Sequence, residues 1–461
     1  MSSHASRQTS EATHGADEPT ARAGQSAGDL RASFDADPYR GYVYGYPHKT
    51  AYRALEPAVP LGPVWAQERQ DALFGYLHLP FCEMRCGFCN LFTTANPPAD
   101  VVGDYLDALE REARVVRELL DRPRAARLAI GGGTPTLLAP AQLEQVISLL
   151  RNVFDSSAPA APMSVETSPA TATRDRLRLL RELGVRRVSI GVQSMIEAEV
   201  HSVGRPQHGR QVHTALDLIR SAGPPVLNVD LMYGLGAQTA ASWVASLERV
   251  LSWAPEEIFC YPLYVRPLTG LSGRVAWDDQ RRTLYRIAVD RLAAAGYAQT
   301  SMRRFTRVAE PDDEYACQSD AMVGLGCGAR SYTRALHWSR EYAVRRTGIR
   351  RIITDYCTTS GDEFAVARWG FALDEGERLR RYVLQSLLHV DGLDPAAARA
   401  ATGLDPLVVL PQVGRLVDAG LAERRSGRLG LTAAGLELSD AIGPWLHSSA
   451  VAARCAGHES R

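Results

Sequence analysis

Tyr76-Leu-His-Leu-Pro-Phe-Cys-Glu-Met-Arg-Cys-Gly-Phe-Cys-Asn-Leu-Phe-Thr93 is the stretch around which the rest of the chain is organised. It places Cys82, Cys86 and Cys89 within eight residues, directly after a run, Phe74 to Leu79, that reads as a buried strand. Spacings of three and then two residues let a short loop wrap a cubane iron–sulfur cluster and bind three of its irons through thiolates. The fourth iron is then open to a small chelating ligand. The competing reading is a structural zinc site made from the same cysteines and His78, because zinc is the commoner metal of Cys/His sets. Strand alternation commits His78 to one face before the loop begins, which counts against that reading.

Outward from the cysteine loop, strands and helices alternate as far as about Leu268. Strands are expected at 74–79, 127–130, 163–166, 187–192, 226–231 and 258–263, and helices between them at 101–120, 141–154, 174–183, 209–221 and 240–251. This alternation implies parallel strands with right-handed crossovers, an α/β fold whose six units make a partial, open (β/α)6 TIM-type barrel. Functional groups should then lie at the carboxyl ends of the strands. The cysteine loop follows the first strand and Gly131-Gly-Gly-Thr-Pro-Thr136 the second, while Glu166, Gln193 and Asp230 end the third, fourth and fifth. A glycine triplet alone is only a flexible turn, and a lone polar strand end is usually a cap or turn former. Their recurrence at one rim beside a cysteine cluster is what points to a ligand site.

Composition bounds the possibilities. The 461 residues suffice for one large domain and a smaller one. A hydrophobic content of 45% with 23% charged residues is that of an ordinary globular protein. Net charge is zero, which gives no whole-chain signal for nucleic acid or an anionic membrane, and Lys49 is the only lysine. The sequence opens on no positively charged segment followed by an apolar core, so a secretory leader is not expected, and no apolar run of about 18 residues occurs, so a transmembrane helix is not expected. Eight cysteines, scattered apart from the cluster, suit a reducing cytoplasm.

Residues 1–32 are rich in small and polar side chains and are expected to be disordered. The aromatic stretch Tyr42-Val-Tyr-Gly-Tyr-Pro-His-Lys-Thr-Ala-Tyr-Arg53 lies in an N-terminal arm, 33–73, and is either packing over the barrel or a substrate-contacting lid. The barrel occupies 74–268 and an extension 269–375, with added strands at 297–300 and 302–305 and a glycine-rich turn at 321–331. From 376 to 448 the pattern reads as helices 377–390, 395–402 and 407–419 followed by a hairpin turning at Ser426-Gly427, a winged-helix shape, with a tail at 449–461. Its arginines are interleaved with acids, so nucleic-acid binding is not expected.

The ordered set Tyr76-Leu-His-Leu-Pro-Phe-Cys82, Cys86-Gly-Phe-Cys89, Gly131-Gly-Gly-Thr-Pro-Thr136, Arg187-Val-Ser-Ile-Gly-Val-Gln193, Gly204-Arg-Pro-Gln207 and Asp230-Leu-Met-Tyr-Gly-Leu235 resembles the HemN-like branch of the radical S-adenosylmethionine (radical SAM) enzymes. The resemblance runs from about Tyr42 to Ser448. It implies a radical SAM barrel with a C-terminal winged-helix-like HemN accessory domain. It also implies a [4Fe–4S] cluster on Cys82, Cys86 and Cys89, with SAM on the open iron. Phe88 would contact the adenine through its backbone, and Gly132, Gly133 and Thr134 would receive the methionyl group. Tyr76, Glu166, Gln193, Arg205 and Asp230 match positions that bind one of two SAM molecules in the branch, and Gly328 and Arg330 fall near the second.

In this family one electron from the reduced cluster cleaves SAM to methionine and a 5′-deoxyadenosyl radical, so the resemblance implies an electron donor such as flavodoxin or ferredoxin. Coproporphyrinogen-type members carry a further cysteine two positions after the last cluster ligand, where this chain has Leu91. From that departure the expected reaction is transfer of a one-carbon unit from the second SAM to a small-molecule natural product. Methylation or cyclopropanation in antibiotic biosynthesis would be such a reaction, with a methyltransferase as a further partner. The alternatives are oxidative decarboxylation of coproporphyrinogen III and heme transfer of the HemW type.

Overall fold

In the computed structural model, which describes residues 26–155, 160–272, 279–307 and 320–458, the cysteine loop leaves the end of a strand at the centre of a large sheet. Six strands pair in parallel, each with the next: Leu73–Leu79, Ala125–Gly132, Met163–Thr167, Arg187–Gln193, Val226–Tyr233 and Glu257–Pro262. Parallel neighbours cannot be joined by a hairpin, so the helices Ala99–Leu119, Pro140–Asn152, Arg174–Glu182, Gly209–Ala222 and Ala240–Leu251 return the chain between them. Each helix buries one stripe on the sheet; in the first it is Tyr105, Leu106, Leu109, Ala113 and Val116, the i, i+4 spacing of an amphipathic helix. The predicted strands and helices coincide with these elements to within two residues at every end.

The sheet continues beyond the six. Met322–Leu325 pairs in parallel with Leu73–Leu79, and Arg330–Tyr332, Leu336–Ser339, Val366–Ala372 and Arg53–Pro60 follow it in antiparallel order. At the other edge Glu257–Pro262 is joined by Arg304–Thr306 and Ala298–Gln299, completing thirteen strands. The glycine-rich stretch 321–331, expected as a turn, is therefore mostly strand, with only its middle turning. The connection is built this way because Met322, Val323 and Leu325 are buried against the first parallel strand.

A second core forms from both ends of the chain. Helices Glu375–Leu387 and Pro395–Thr402 are followed by Pro406–Val409 and Gln412–Asp418, where one helix over 407–419 is expected; Pro411 lies between them and breaks it. The hairpin Ala422–Arg425 with Arg428–Leu431 turns at Ser426 and Gly427, both at positive φ.

Residues 1–25 of the expected disordered segment lie outside the described residues, but 27–32 do not conform to it: Ala27–Ala36 is a helix. Ser26 and Asp29 form its capping box, and Leu30 and Phe34, one turn apart, are buried, Phe34 edge-on to Trp445 at 5.6 Å. The expected C-terminal tail likewise contains a helix, Ser449–Ala456, capped by Ser448 and anchored by the buried Val451. The two cores are joined by an ion pair between Arg303 and Asp440, which are 4% and 2% exposed.

Candidate active site

The cysteine loop is closed at its base. Phe81–Cys82 pairs with Thr94–Ala95, and Asn96 N donates to Cys82 O at 2.9 Å, so the residues between form a lasso carrying all three thiols. Its inner side rests on the second parallel strand, where Gly133 N donates to Leu79 O and Thr134 N to Phe81 O, each at 2.7 Å. A Cβ on Gly133 would lie 2.3 Å from Phe81 O, so the glycine is required by the lasso itself. At the tip, Gly87 exchanges hydrogen bonds with Val203 O (2.9 Å) and Leu271 N (3.1 Å), and a side chain there would strike Val203 O. The Phe88 ring packs against the apolar group of Val203, Met232, Leu235 and Leu263.

Donor geometry separates the two metal readings. Tetrahedral zinc with ~2.3 Å Zn–S bonds needs sulfurs about 3.8 Å apart. Among the described residues, however, the only group of three or more His, Cys, Asp or Glu ligand atoms all within 4.8 Å of one another is Glu197, His201 and His208, so the three thiols are spread more widely. His78 is not available to them. It is buried, its Nε2 lies 2.9 Å from Phe92 O and its Nδ1 3.4 Å from the Tyr76 hydroxyl, and burial pushes its imidazole down to about 4. A cubane, which spreads its cysteine ligands over separate irons, fits this donor set and zinc does not. Burial, with the neighbouring Cys89 thiol, pushes Cys82 up to about 12, so a metal is what would hold these groups as thiolates.

Glu166 and Gln193 lie at the ends of their strands, whereas Asp230, expected to end the fifth, sits three residues inside Val226–Tyr233, because that strand stays paired with Glu257–Pro262 as far as Tyr233. Glu166 Oε2 accepts from Gly132 N at 3.1 Å, and Asp230 Oδ1 accepts from Asn228 Nδ2 at 2.8 Å. Enclosure in the barrel lumen raises both carboxyls, Glu166 to about 7 with Asp230 adding to the effect, and Asp230 to about 6 against the pull of Asn228 and Arg187. Gln193 ends its strand at a positive φ of 67°, and Arg205 reaches back to it, donating to Gly191 O at 2.7 Å. The same guanidinium donates to Cys86 Sγ at 3.2 Å and to Gln207 Oε1 at 2.9 Å. Arg205 thus supports the cysteine loop, with two of its five N–H groups left for a ligand.

Gly328 lies directly over the His78 ring, and Arg330 donates to the Tyr44 hydroxyl at 2.8 Å. That contact places the N-terminal arm. Tyr44 packs on Tyr42 at 5.4 Å, and Tyr42 faces Tyr261 at 6.4 Å and the Arg303 guanidinium at 3.8 Å, so the arm spans the strand ends from one side of the barrel to the other. Around His48, burial together with Lys49, Arg330, His447 and Arg266 holds the imidazole well below its usual range. Lys49, Arg266 and Arg330 have no carboxylate partner among the described residues. The arm is marked in the sequence by its aromatic content, but its partners are not, because Arg266, Arg303 and Arg330 come from distant segments.

Comparison with known proteins agrees with this geometry. Residues 76–250 match the Radical SAM superfamily. The chain is 28% identical over 365 residues to an oxygen-independent coproporphyrinogen III oxidase of Bradyrhizobium diazoefficiens, covering 74% of this chain and 78% of that one. It is 30% identical over 332 residues to the enzyme of the same name from Cereibacter sphaeroides (68% and 72%), and 30% identical over 268 residues to the heme chaperone HemW of Bacillus subtilis (56% and 70%). The fold matches the structure of coproporphyrinogen III oxidase (HemN) from Escherichia coli with a TM-score of 0.72 at 24% identity, over 91% of this chain and 98% of that one. With the open lasso of thiols, the polar rim and kinship along most of its length, the chain belongs to the HemN-like branch of the radical SAM superfamily.

Proposed function

We propose that this chain oxidatively decarboxylates the propionate side chains of a coproporphyrinogen III-type substrate. The observation that carries the reading is the group of cations at the barrel mouth, Lys49, Arg266 and Arg330, with no carboxylate set against them among the described residues. Unpaired enclosed cations are costly unless an anion completes them, and a substrate with several carboxylates does so. The names of the coproporphyrinogen III oxidase relatives support the same assignment.

The expected transfer of a one-carbon unit to a natural product, with its partner methyltransferase, is withdrawn. The relatives are coproporphyrinogen III oxidases and a heme chaperone, matched over most of their lengths. The departure at Leu91 carried that expectation, but the Leu91 side chain is 49% exposed at the loop surface, and the change leaves the three thiols and the rim in place.

In this reading Cys82, Cys86 and Cys89 hold the cluster. Gly132, Gly133, Thr134 and the Phe88 backbone take the cluster-bound SAM, and Tyr76, Glu166, Gln193, Arg205 and Asp230 fix SAM at the rim. Gly328 and Arg330 lie toward a second SAM. When bound, the reduced cluster and SAM supply a radical able to take hydrogen from an unactivated carbon. The arm Tyr42–Tyr44 closes over the mouth and excludes water, while Arg330, Arg266 and Lys49 orient the propionates. Per side chain, one hydrogen atom leaves the β-carbon, CO2 departs, one electron passes to a one-electron acceptor, and a vinyl group remains. A protein of the flavodoxin or ferredoxin type supplies the reducing electron, in a reducing compartment such as the cytoplasm. No helix of the described residues is long and apolar enough to cross a membrane.

Anaerobic reconstitution with iron and sulfide, followed by SAM, dithionite and coproporphyrinogen III, tests the proposal. CO2 and vinyl products alongside 5′-deoxyadenosine support it. S-adenosylhomocysteine with a methylated product, or stoichiometric heme binding with the tetrapyrrole untouched, contradicts it.

A further inference from the structure

Reductive cleavage of SAM consumes an electron, and among the described residues the cysteines outside the loop, Cys260, Cys327, Cys357 and Cys455, form no second metal-binding group. The electron therefore arrives from another molecule, and the structure contains one surface suited to receive it. Resting on the radical SAM reading above, we propose that the face formed by Arg85, Arg345, Arg346 and Arg350 is the docking site for an acidic protein that carries a one-electron cofactor.

The position is set by the cysteine loop. Glu83, Met84 and Arg85, the residues between Cys82 and Cys86, form one wall of a surface pocket of about 530 Å3 whose other wall is Arg346 and Arg350, from the helix Arg346–Cys357. The segment leading into that helix is fastened to the loop at two points: Arg85 Nη2 donates to Val344 O at 2.5 Å and the Tyr342 hydroxyl to Asn90 O at 2.5 Å. The pocket is thus walled by the residues that lie between Cys82 and Cys86, and a donor seated there would rest on the loop that carries the thiols.

The charge of the face is specific to it. The whole chain is neutral, yet Arg345, Arg346 and Arg350 are exposed and have no carboxylate partner among the described residues. Arg351, on the same helix, is paired with both Glu341 and Asp355, so those two acids are already used. Glu83 is turned inward, accepting from the Ser168 hydroxyl at 2.5 Å. The pocket itself is therefore lined by Arg85, Arg346 and Arg350 against the single, inward-turned acid Glu83. Such a patch steers an acidic partner, through contacts that salt screens within about 10 Å at 0.1 M.

The test uses the full chain with its cluster reconstituted, and a flavodoxin as the acidic one-electron donor. Binding of oxidised flavodoxin is measured by surface plasmon resonance over a series of salt concentrations, for the wild type and for the variant Arg346→Glu/Arg350→Glu. Iron content and circular dichroism check that the variant is folded and loaded. The expected result is wild-type binding that weakens steeply with salt, at least ten-fold weaker binding in the variant, and slower cluster reduction by flavodoxin hydroquinone. Dithionite-driven formation of 5′-deoxyadenosine should be the same in both. Equal flavodoxin affinity in the two proteins, no flavodoxin binding by the wild type, or an RNA oligonucleotide bound through these arginines in place of flavodoxin overturns the docking proposal. If dithionite and SAM yield no 5′-deoxyadenosine from the wild type, it is the radical SAM reading that fails, which keeps the two outcomes distinct.

Discussion

The Arg330 guanidinium donates to the Tyr44 hydroxyl at 2.8 Å, fastening an arm from the start of the chain to a strand 286 positions later, across the mouth of the barrel. The same cation has no carboxylate partner among the described residues and sits with Lys49 and Arg266 around His48. Its roles are then to hold the arm and to receive an anionic substrate. Replacing Arg330 with methionine should raise KM for the tetrapyrrole more than ten-fold, the effect of losing a hydrogen bond to a charged group worth about 1.5–3 kcal/mol. Uncoupled cleavage of the cluster-bound SAM, which Arg330 is not assigned to hold, should change little. Lysine keeps the charge but not the fork, so it should recover part of the affinity. Steady-state kinetics on both reactions checks this.

Glu166 and Asp230 give a pH dependence with a definite sign. The Glu166 carboxyl stands near 7 in the fold against an ordinary value of 4.5. Between those values the unfolded chain is ionised there and the folded chain is not, so its contribution makes the ligand-free protein less stable as pH rises from about 4.5 to 7, with no further change above. Glu166→Gln should therefore raise the melting temperature relative to wild type at pH 8 and have no such effect at pH 4.5. SAM carries positive charge and favours the ionised pair, so its affinity should increase from pH 5.5 to 8 in the wild type and flatten in the variant. Melting curves and SAM titration calorimetry across that range decide both points.

Arg205 should matter to the cluster as much as to SAM, because it donates to Cys86 Sγ at 3.2 Å. Removing a hydrogen bond and a cation beside a ligand sulfur disfavours the added electron. Arg205→Met should lower the cluster midpoint potential and speed loss of iron on exposure to air, with the three cysteines intact. Redox titration followed by electron paramagnetic resonance gives the potential.

The pair Arg303–Asp440 joins the barrel to the terminal core while almost wholly buried. Asp440→Ala leaves a guanidinium without its partner in low dielectric and should cost about 3–5 kcal/mol, whereas Arg303→Met/Asp440→Leu, which removes both charges, should cost much less. Thermal denaturation of the two variants against wild type separates these outcomes.

What could be read from the sequence followed from periodicity. The six parallel strands and their helices are long and repeat at fixed spacing, and the cysteine loop, Glu166, Gln193 and Asp230 are marked by where they fall on them. The strands Met322–Leu325, Arg330–Tyr332 and Leu336–Ser339 are three or four residues long, and the strands that tie them into the sheet, Leu73–Leu79 and Val366–Ala372, are distant in sequence, so no local pattern announces them. The helix Ala27–Ala36 was hidden because its two anchors, Leu30 and Phe34, need a core supplied by the opposite end of the chain. The cation group at the mouth combines residues 49, 266 and 330 around His48, a juxtaposition made only by the fold. Leu91 misled for the converse reason: a local departure at an exposed loop position was given weight against similarity distributed over the whole barrel.

The central claim, that the radical made at Cys82, Cys86 and Cys89 is used on a propionate side chain, is tested most directly by hydrogen transfer. The reconstituted chain is given SAM, dithionite and coproporphyrinogen III deuterated at the propionate β-carbons, and the 5′-deoxyadenosine is analysed by mass spectrometry. Deuterium in the 5′-deoxyadenosine, with CO2 released in step, is the predicted result. Unlabelled 5′-deoxyadenosine with intact coproporphyrinogen, or deuterium recovered in S-adenosylmethionine-derived methyl products, contradicts the account.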